Sequence, residues 1–136
     1  MQKMLAAIGA LALLGGCSVA NDIPRVESSI AIFHRELNAQ QYDLIYTNAG
    51  PAMKAATTQA DLVQLLSAIH RKLGAFQSGS SVGWNDDVNT NGHFVTVNYS
   101  AKYAAGAADE SFVYRIDGQN VVLTTYRINS NALIVN

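Results

Sequence analysis

The sequence contains a single cysteine in 136 residues. With Cys17 as the lone thiol, an intrachain disulfide framework and any multi-cysteine metal site are excluded. Charge is also scarce, at 14% of residues, and it is balanced: 9 basic side chains stand against 10 acidic ones, with a formal charge of −1 and a pI near 6.2. A chain with no basic excess lacks the electrostatic footprint of a nucleic-acid binder. None of the histidines, His34, His70 and His93, stands at a metal-ligand spacing from another His or from Cys17. Ser-His-Asp, P-loop and dinucleotide fingerprints are absent, and the scattered Gly79, Gly83, Gly92 and Gly106 do not make a phosphate loop. There is no internal repeat, acidic tail or low-complexity tract. What remains is one chain of 49% hydrophobic residues, long enough for one domain with a real core and too short for two.

The longest uncharged run near the start is MLAAIGALALLGG, Met4 to Gly16, preceded by Lys3. A spanning helix needs roughly 20 apolar residues to cross ~30 Å of hydrocarbon, and this run is shorter and ends on Gly-Gly. A positive start, a short apolar stretch and small residues before a polar break read as a secretory signal peptide. The tetrapeptide Leu14-Gly15-Gly16-Cys17 resembles the bacterial lipobox. That resemblance implies a diacylglyceryl group on the Cys17 sulfur, cleavage before Cys17, and acylation of the new amino group. Several acyl chains hold a domain stably where one holds it marginally. By resemblance to enterobacterial lipoproteins, Ser18 favours the outer membrane over the inner. The expected organisation is a signal peptide over 1–16, the lipidated Cys17 with a short linker to residue 23, and a single domain over 24–136. The mature chain loses Lys3, leaving 8 basic against 10 acidic residues. If extended, the linker Ser18–Asp22 reaches only ~17 Å, which keeps the domain near its membrane.

Apolar periodicity then predicts helices. Pro24 suits a first turn with Asp22 as cap, and Val26, Ile30, Phe33 and Leu37 recur as one stripe, with Arg25, Glu36 and Asn38 on the other face. Tyr42, Ile45 and Tyr46 fit a short helix, Asn48 to Pro51 breaks it, and Pro51 starts another turn or two that ends near Ala56. The next helix is bounded by Thr58 and Asp61 at its start and Gly74 at its end, with Leu62, Leu65, Leu66, Ile69 and Leu73 on one face.

After Gly74 the period changes to two. Phe76, Ser78, Ser80, Val82 and Trp84 alternate; so do Val95, Val97, Tyr99, Ala101 and Tyr103, and then Phe112, Tyr114 and Ile116. Asp117-Gly118 signals a hairpin before a last strand from Val121 to Asn129. Helices followed by a run of hairpin-linked strands predict an α+β fold: N-terminal helices packed on one face of a roughly four-stranded antiparallel meander.

This order resembles the cystatin-like and nuclear-transport-factor-2-like architectures. Leu73-Gly74-Ala75-Phe76, Glu110 to Tyr114, Asp117-Gly118 and Tyr126 to Asn129 resemble a family of bacterial envelope proteins catalogued as domain of unknown function 4019. The resemblance spans roughly Pro24 to Asn131. It implies a fold and a location, and no reaction.

DVNTNG, Asp87 to Gly92, matches the first half of a calcium loop, but the twelfth position is Asn98 rather than a bidentate Glu, so a hairpin turn is expected, with weak cation binding at Asp86 at most. His34 and His70 lie at the edges of their helical stripes and read as half-buried boundary histidines. An isomerase-like site would need an acid or base deep in a cavity, for which Glu110 and Asp43 are the candidates. Tyr42, Tyr46, Tyr99, Glu110, Tyr114 and Tyr126 are the candidate cleft residues, although strand aromatics more often pack helix against sheet. The expectation is a non-catalytic, lipid-anchored periplasmic module with no cofactor and no metal. It would bind a small apolar ligand or an envelope or secreted protein. The alternatives are a small cavity enzyme of isomerase or hydrolase type, and an inhibitor or immunity lipoprotein against a secreted toxin.

Overall fold

The computed structural model describes residues 19–135. The expected signal peptide and Cys17 lie outside them. In chain order the elements are α1 (Val19–Asn38), α2 (Tyr42–Asn48), α3 (Pro51–Ala56), α4 (Gln59–Leu73), β1 (Phe76–Asn89), β2 (Gly92–Tyr103), β3 (Gly106–Asp117), β4 (Asn120–Asn129) and the short α5 (Asn131–Ile134). The four strands form one antiparallel sheet in sequence order, preceded by the four larger helices, so the fold is the expected α+β arrangement. Among the described residues no helix is long and apolar enough to cross a membrane.

Helix α1 departs from its expected start. It begins at Val19 rather than at Pro24, with Asp22 in its first turn and Pro24 inside it. Proline lacks one backbone donor but already has a helical φ, so it removes a single early hydrogen bond and the helix continues. Residues 19–22 are therefore helical rather than an extended linker. The predicted stripe Val26, Ile30, Phe33 and Leu37 is buried throughout.

The local signals around α4 hold. The Thr58 hydroxyl accepts from the Asp61 amide at 3.2 Å, satisfying one of the free donors of the first turn. Gly74 follows at φ +72, a conformation glycine adopts without a side-chain clash. Leu62, Leu66, Ile69 and Leu73 are buried, but Leu65 is 47% exposed. It sits about 100° around the helix from Leu66, at the flank of a stripe spaced by four, three and four.

In the sheet, strand alternation sends Val95, Val97, Ala101 and Tyr103 inward from β2, and Ala108, Glu110, Phe112 and Tyr114 inward from β3. The register sets Tyr99 opposite Glu110, and Phe112 between Val97 and Tyr126. The strict alternation expected for Phe76 to Trp84 is broken by irregularities between Phe76 and Ser78 and between Ser81 and Gly83. Bulges of this kind are common on edge strands, and β1 is an edge, with Val82, Trp84 and Val88 exposed. A Cβ on Gly79 would stand 2.4 Å from the Tyr99 ring, so the bare backbone there lets that ring lie across β1.

Candidate functional site

Of the three buried carboxylates among the described residues, Asp22, Glu36 and Glu110, the last two have surroundings that differ most. Glu110 points inward from the middle of β3. Its Oε1 accepts from the Tyr103 hydroxyl at 2.6 Å and from the Tyr126 hydroxyl at 2.7 Å, while Oε2 lies 2.8 Å from His34 Nε2. A carboxylate can only accept, so His34 donates through Nε2. The side chains of His34 and Glu110 are 3% and 0% exposed. The Phe76 ring stacks on the imidazole with centroids 3.7 Å apart and planes 5° from parallel. Phe33, Phe112 and Tyr99 close the remaining sides. Burial, and then the Glu110 charge, hold both Tyr103 and Tyr126 far above the ordinary tyrosine range, so their hydroxyls remain donors. His34 Nδ1 is buried without a hydrogen-bond partner.

His34 is thus a core residue, 2% exposed, and not the half-buried boundary histidine that its place on the stripe suggested. The strands that follow bring a carboxylate 76 positions away onto its ring nitrogen. Chemically this cluster has little freedom. Three donors occupy the carboxylate and aromatic rings pack around it; Glu110 also borders a groove lined by Tyr99, Ser111 and Arg127, but its side chain is fully buried. Its groups come from α1, β2, β3 and β4, so it ties the helix to three strands.

The second carboxylate is Glu36, in the last turn of α1. That helix ends in a Schellman motif: the Gln41 amide donates to the Glu36 carbonyl at 2.9 Å and the Gln40 amide to the Leu37 carbonyl at 3.1 Å, with Gln40 at φ +57. This tight reversal lays α2 beside α1. Between these helices and β3–β4 opens a cleft of about 180 Å³. Ile32, Phe33, Ile45, Ala49, Val121 and Leu123 give it apolar walls. Glu36 and Tyr114 are its buried polar groups, with Ser29 and Asn48 also lining it. Glu36 is 7% exposed and has no side-chain hydrogen bond or ion pair among the described residues. Burial raises its pKa above the ordinary carboxylate value, and the adjacent Arg35 pulls it partway back. Tyr114 is raised more strongly, by burial first and then by the charges of Glu36 and Glu110, so it faces the cleft as a neutral hydroxyl.

The six candidate cleft residues do not share one cavity. Tyr114 lines the cleft, whereas Glu110 and Tyr126 belong to the buried cluster and Tyr99 packs on His34 and Phe76; Tyr99 and Glu110 also border a separate groove with Asn98, Ser111 and Arg127. Tyr42 and Tyr46 are half-buried on α2, Tyr46 under the Lys54 ammonium at 5.8 Å. Asp43, the other acid considered, is exposed and accepts from Gln59 Nε2 at 2.8 Å. His70 is half-buried and does not join His34 in a common site; its Nδ1 also lacks a partner. Sequence patterning placed Glu36 on the polar face of α1. It is buried because α2 covers the flank of the helix, and the only local hint is its position three after Phe33 and directly before Leu37.

The DVNTNG stretch forms the hairpin between β1 and β2, closed by its own side chains: Asn89 Nδ2 donates to Asp87, and Asn89 Oδ1 accepts from the Asn91 amide, both at 2.8 Å. Asn98 is a strand residue of β2. Flanking the hairpin, His93 Nε2 lies 2.5 Å from Asp86 Oδ1 and 3.8 Å from Asp22 Oδ2, and Arg25 holds Asp22 Oδ1 at 3.1 Å. Two carboxylates and an imidazole within 4.8 Å are a donor set a divalent cation can use. As it stands, with Arg25 already engaged, the set works as a polar clamp between the first turns of α1 and the β1–β2 hairpin. Compared with known proteins, the chain matches no family model and no curated protein.

Proposed function

We propose that the protein is a lipid-anchored binding module of the bacterial envelope, without catalytic activity, that holds a small and largely apolar ligand in the cleft between α1, α2 and the sheet. The observation that carries this reading is the contrast inside the fold: the cluster of Glu110 with His34 and two tyrosines is buried and saturated, while the open cleft is mainly apolar. Pockets of this type take a ligand by apolar burial and orient it with a few polar groups. The lipobox at Cys17, and the sequence resemblance to domain of unknown function 4019, support the envelope location. Ser18 favours the outer membrane, with the domain on the periplasmic face.

Two measurements test it. Lipid extracts and small molecules released from protein purified out of bacterial envelopes are identified by mass spectrometry, with an apolar molecule at stoichiometric yield expected. Recovery of a stoichiometric protein and no small molecule would transfer the function to a protein partner. For the anchor, labelled palmitate is expected to mark the native chain and not Cys17→Ser, and a mature amino terminus anywhere other than a lipidated Cys17 overturns it.

A small cavity enzyme is the second reading, and Glu36 favours it: a buried carboxyl with a raised pKa beside a tyrosine hydroxyl is the type of group that exchanges protons with a ligand. Ligand turnover that is lost in Glu36→Gln would establish it, and ligand recovered unchanged after prolonged incubation removes it.

A further inference from the structure

We infer that the ligand of this cleft is a small amine, carrying an ammonium nitrogen that seats on the Glu36 carboxylate and an aromatic or branched aliphatic body that fills the apolar walls. This rests on the reading of the cleft as a ligand site. The buried carboxylates are unequally partnered. Every other buried carboxylate among the described residues has a partner: Glu110 has two tyrosines and His34, and Asp22 has Arg25. Glu36 is more than nine-tenths removed from solvent, and what remains opens into the cleft, yet no side chain of the described residues bonds to it. Its oxygens touch solvent only through the cleft, so a donor that enters the cleft can take the place that no side chain of the described residues fills.

The chemistry of that donor follows from the surroundings. An anionic ligand would meet Glu36 at close range and lose its own hydration. A neutral hydroxyl can bond to the carboxylate but does not offset its charge. An ammonium does both, with up to three N–H donors. Tyr114 lines the same cleft and is its other buried polar side chain, so its hydroxyl is the candidate acceptor for a second N–H. The size of the body follows from the volume. About 180 Å³ leaves room for one ring or a short branched chain and not for a fused multi-ring skeleton or a long acyl tail. Phe33, Ile45 and Leu123 provide the apolar contact surface, and Ile32 at the exposed rim leaves the entrance open.

The test uses the purified full-length protein and three probes of nearly the same shape: benzylamine, benzyl alcohol and toluene. Binding is followed by methyl NMR at Ile32, Ile45 and Leu123. The expected result is saturable binding at these methyls, with benzylamine at least tenfold tighter than benzyl alcohol. The near-isosteric Glu36→Gln should abolish that preference while the alcohol still binds. If benzylamine and benzyl alcohol bind the cleft equally in the native protein, the cleft remains a ligand site and the amine assignment is overturned. If none of the three probes shifts these methyls, the cleft itself is not the binding site and both readings fall. The comparison among probes is made on the native chain, so it stands even if the Glu36 variant proves unstable.

Discussion

Glu110 and Glu36 are both acidic residues removed from water on the same side of the same sheet, and the fold treats them in opposite ways. Glu110 is supplied with three donors from three other elements and walled in by rings. Glu36 is supplied with none and given an opening. A saturated buried carboxylate specifies structure, because removing it strands each of its partners. An unsaturated one costs stability and is retained where something outside the chain completes it. Burial alone therefore does not mark a functional acid; the inventory of its partners does.

The comparison can be broken most directly at Glu110. Glu110→Ala leaves two tyrosine hydroxyls and an imidazole buried without their acceptor, and should cost about 3–5 kcal/mol in urea unfolding. A loss below about 1 kcal/mol would mean the cluster is not holding the sheet to α1. Tyr103→Phe removes one donor to a charged acceptor and should cost about 1.5–3 kcal/mol. The two cluster tyrosines and Tyr114 of the cleft together predict an alkaline limit. Tyr103, Tyr114 and Tyr126 have folded pKa values raised above their ordinary 10.0. The folded chain then keeps protons that the unfolded chain releases, so their stabilisation is complete below pH 10 and declines as pH rises beyond it. The slope approaches about 1.4 kcal/mol per pH unit for each tyrosine. Unfolding free energies measured from pH 8 to 12 check this, and a flat profile contradicts the closed cluster.

Glu36 follows the same sign over a lower range of pH. Its folded pKa is raised above 4.5, so the contribution it makes is present at low pH and is lost as pH rises through its folded value. Glu36→Gln removes that penalty and should raise stability at pH 7 by less than about 1 kcal/mol. A loss of more than about 1 kcal/mol would place Glu36 among the structural groups beside Glu110. The smallest effect is expected at Gln40, whose left-handed φ of +57 costs a side-chain-bearing residue about 1 kcal/mol. Gln40→Gly relieves that strain but loosens the unfolded chain, for a net gain of a few tenths of a kcal/mol in melting experiments.

Much of the fold was readable because it is encoded locally. Thr58 with Asp61, Gly74, the Asp117-Gly118 hairpin and the alternation through Val95 to Tyr103 each act within a few residues of themselves. Gly118 takes the first loop position at φ +59, as a type II′ hairpin requires. The site was less readable, since it depends on what covers a helix from the side. The stripe on α1 shows which face meets the sheet, but not that α2 folds back over the neighbouring flank and buries Glu36 with it. The start of α1 was missed for a different reason: a proline that can open a helix can also be carried inside one.

That early start of α1 has a geometric consequence for the proposed anchor. One residue, Ser18, separates Cys17 from Val19 in the sequence, so a lipidated Cys17 would stand two positions before the first described turn of α1. Glu36 lies about 25 Å further along that helix, at 1.5 Å per residue. With such an attachment the direction in which α1 leaves the membrane would set how far the mouth of the cleft stands from the bilayer.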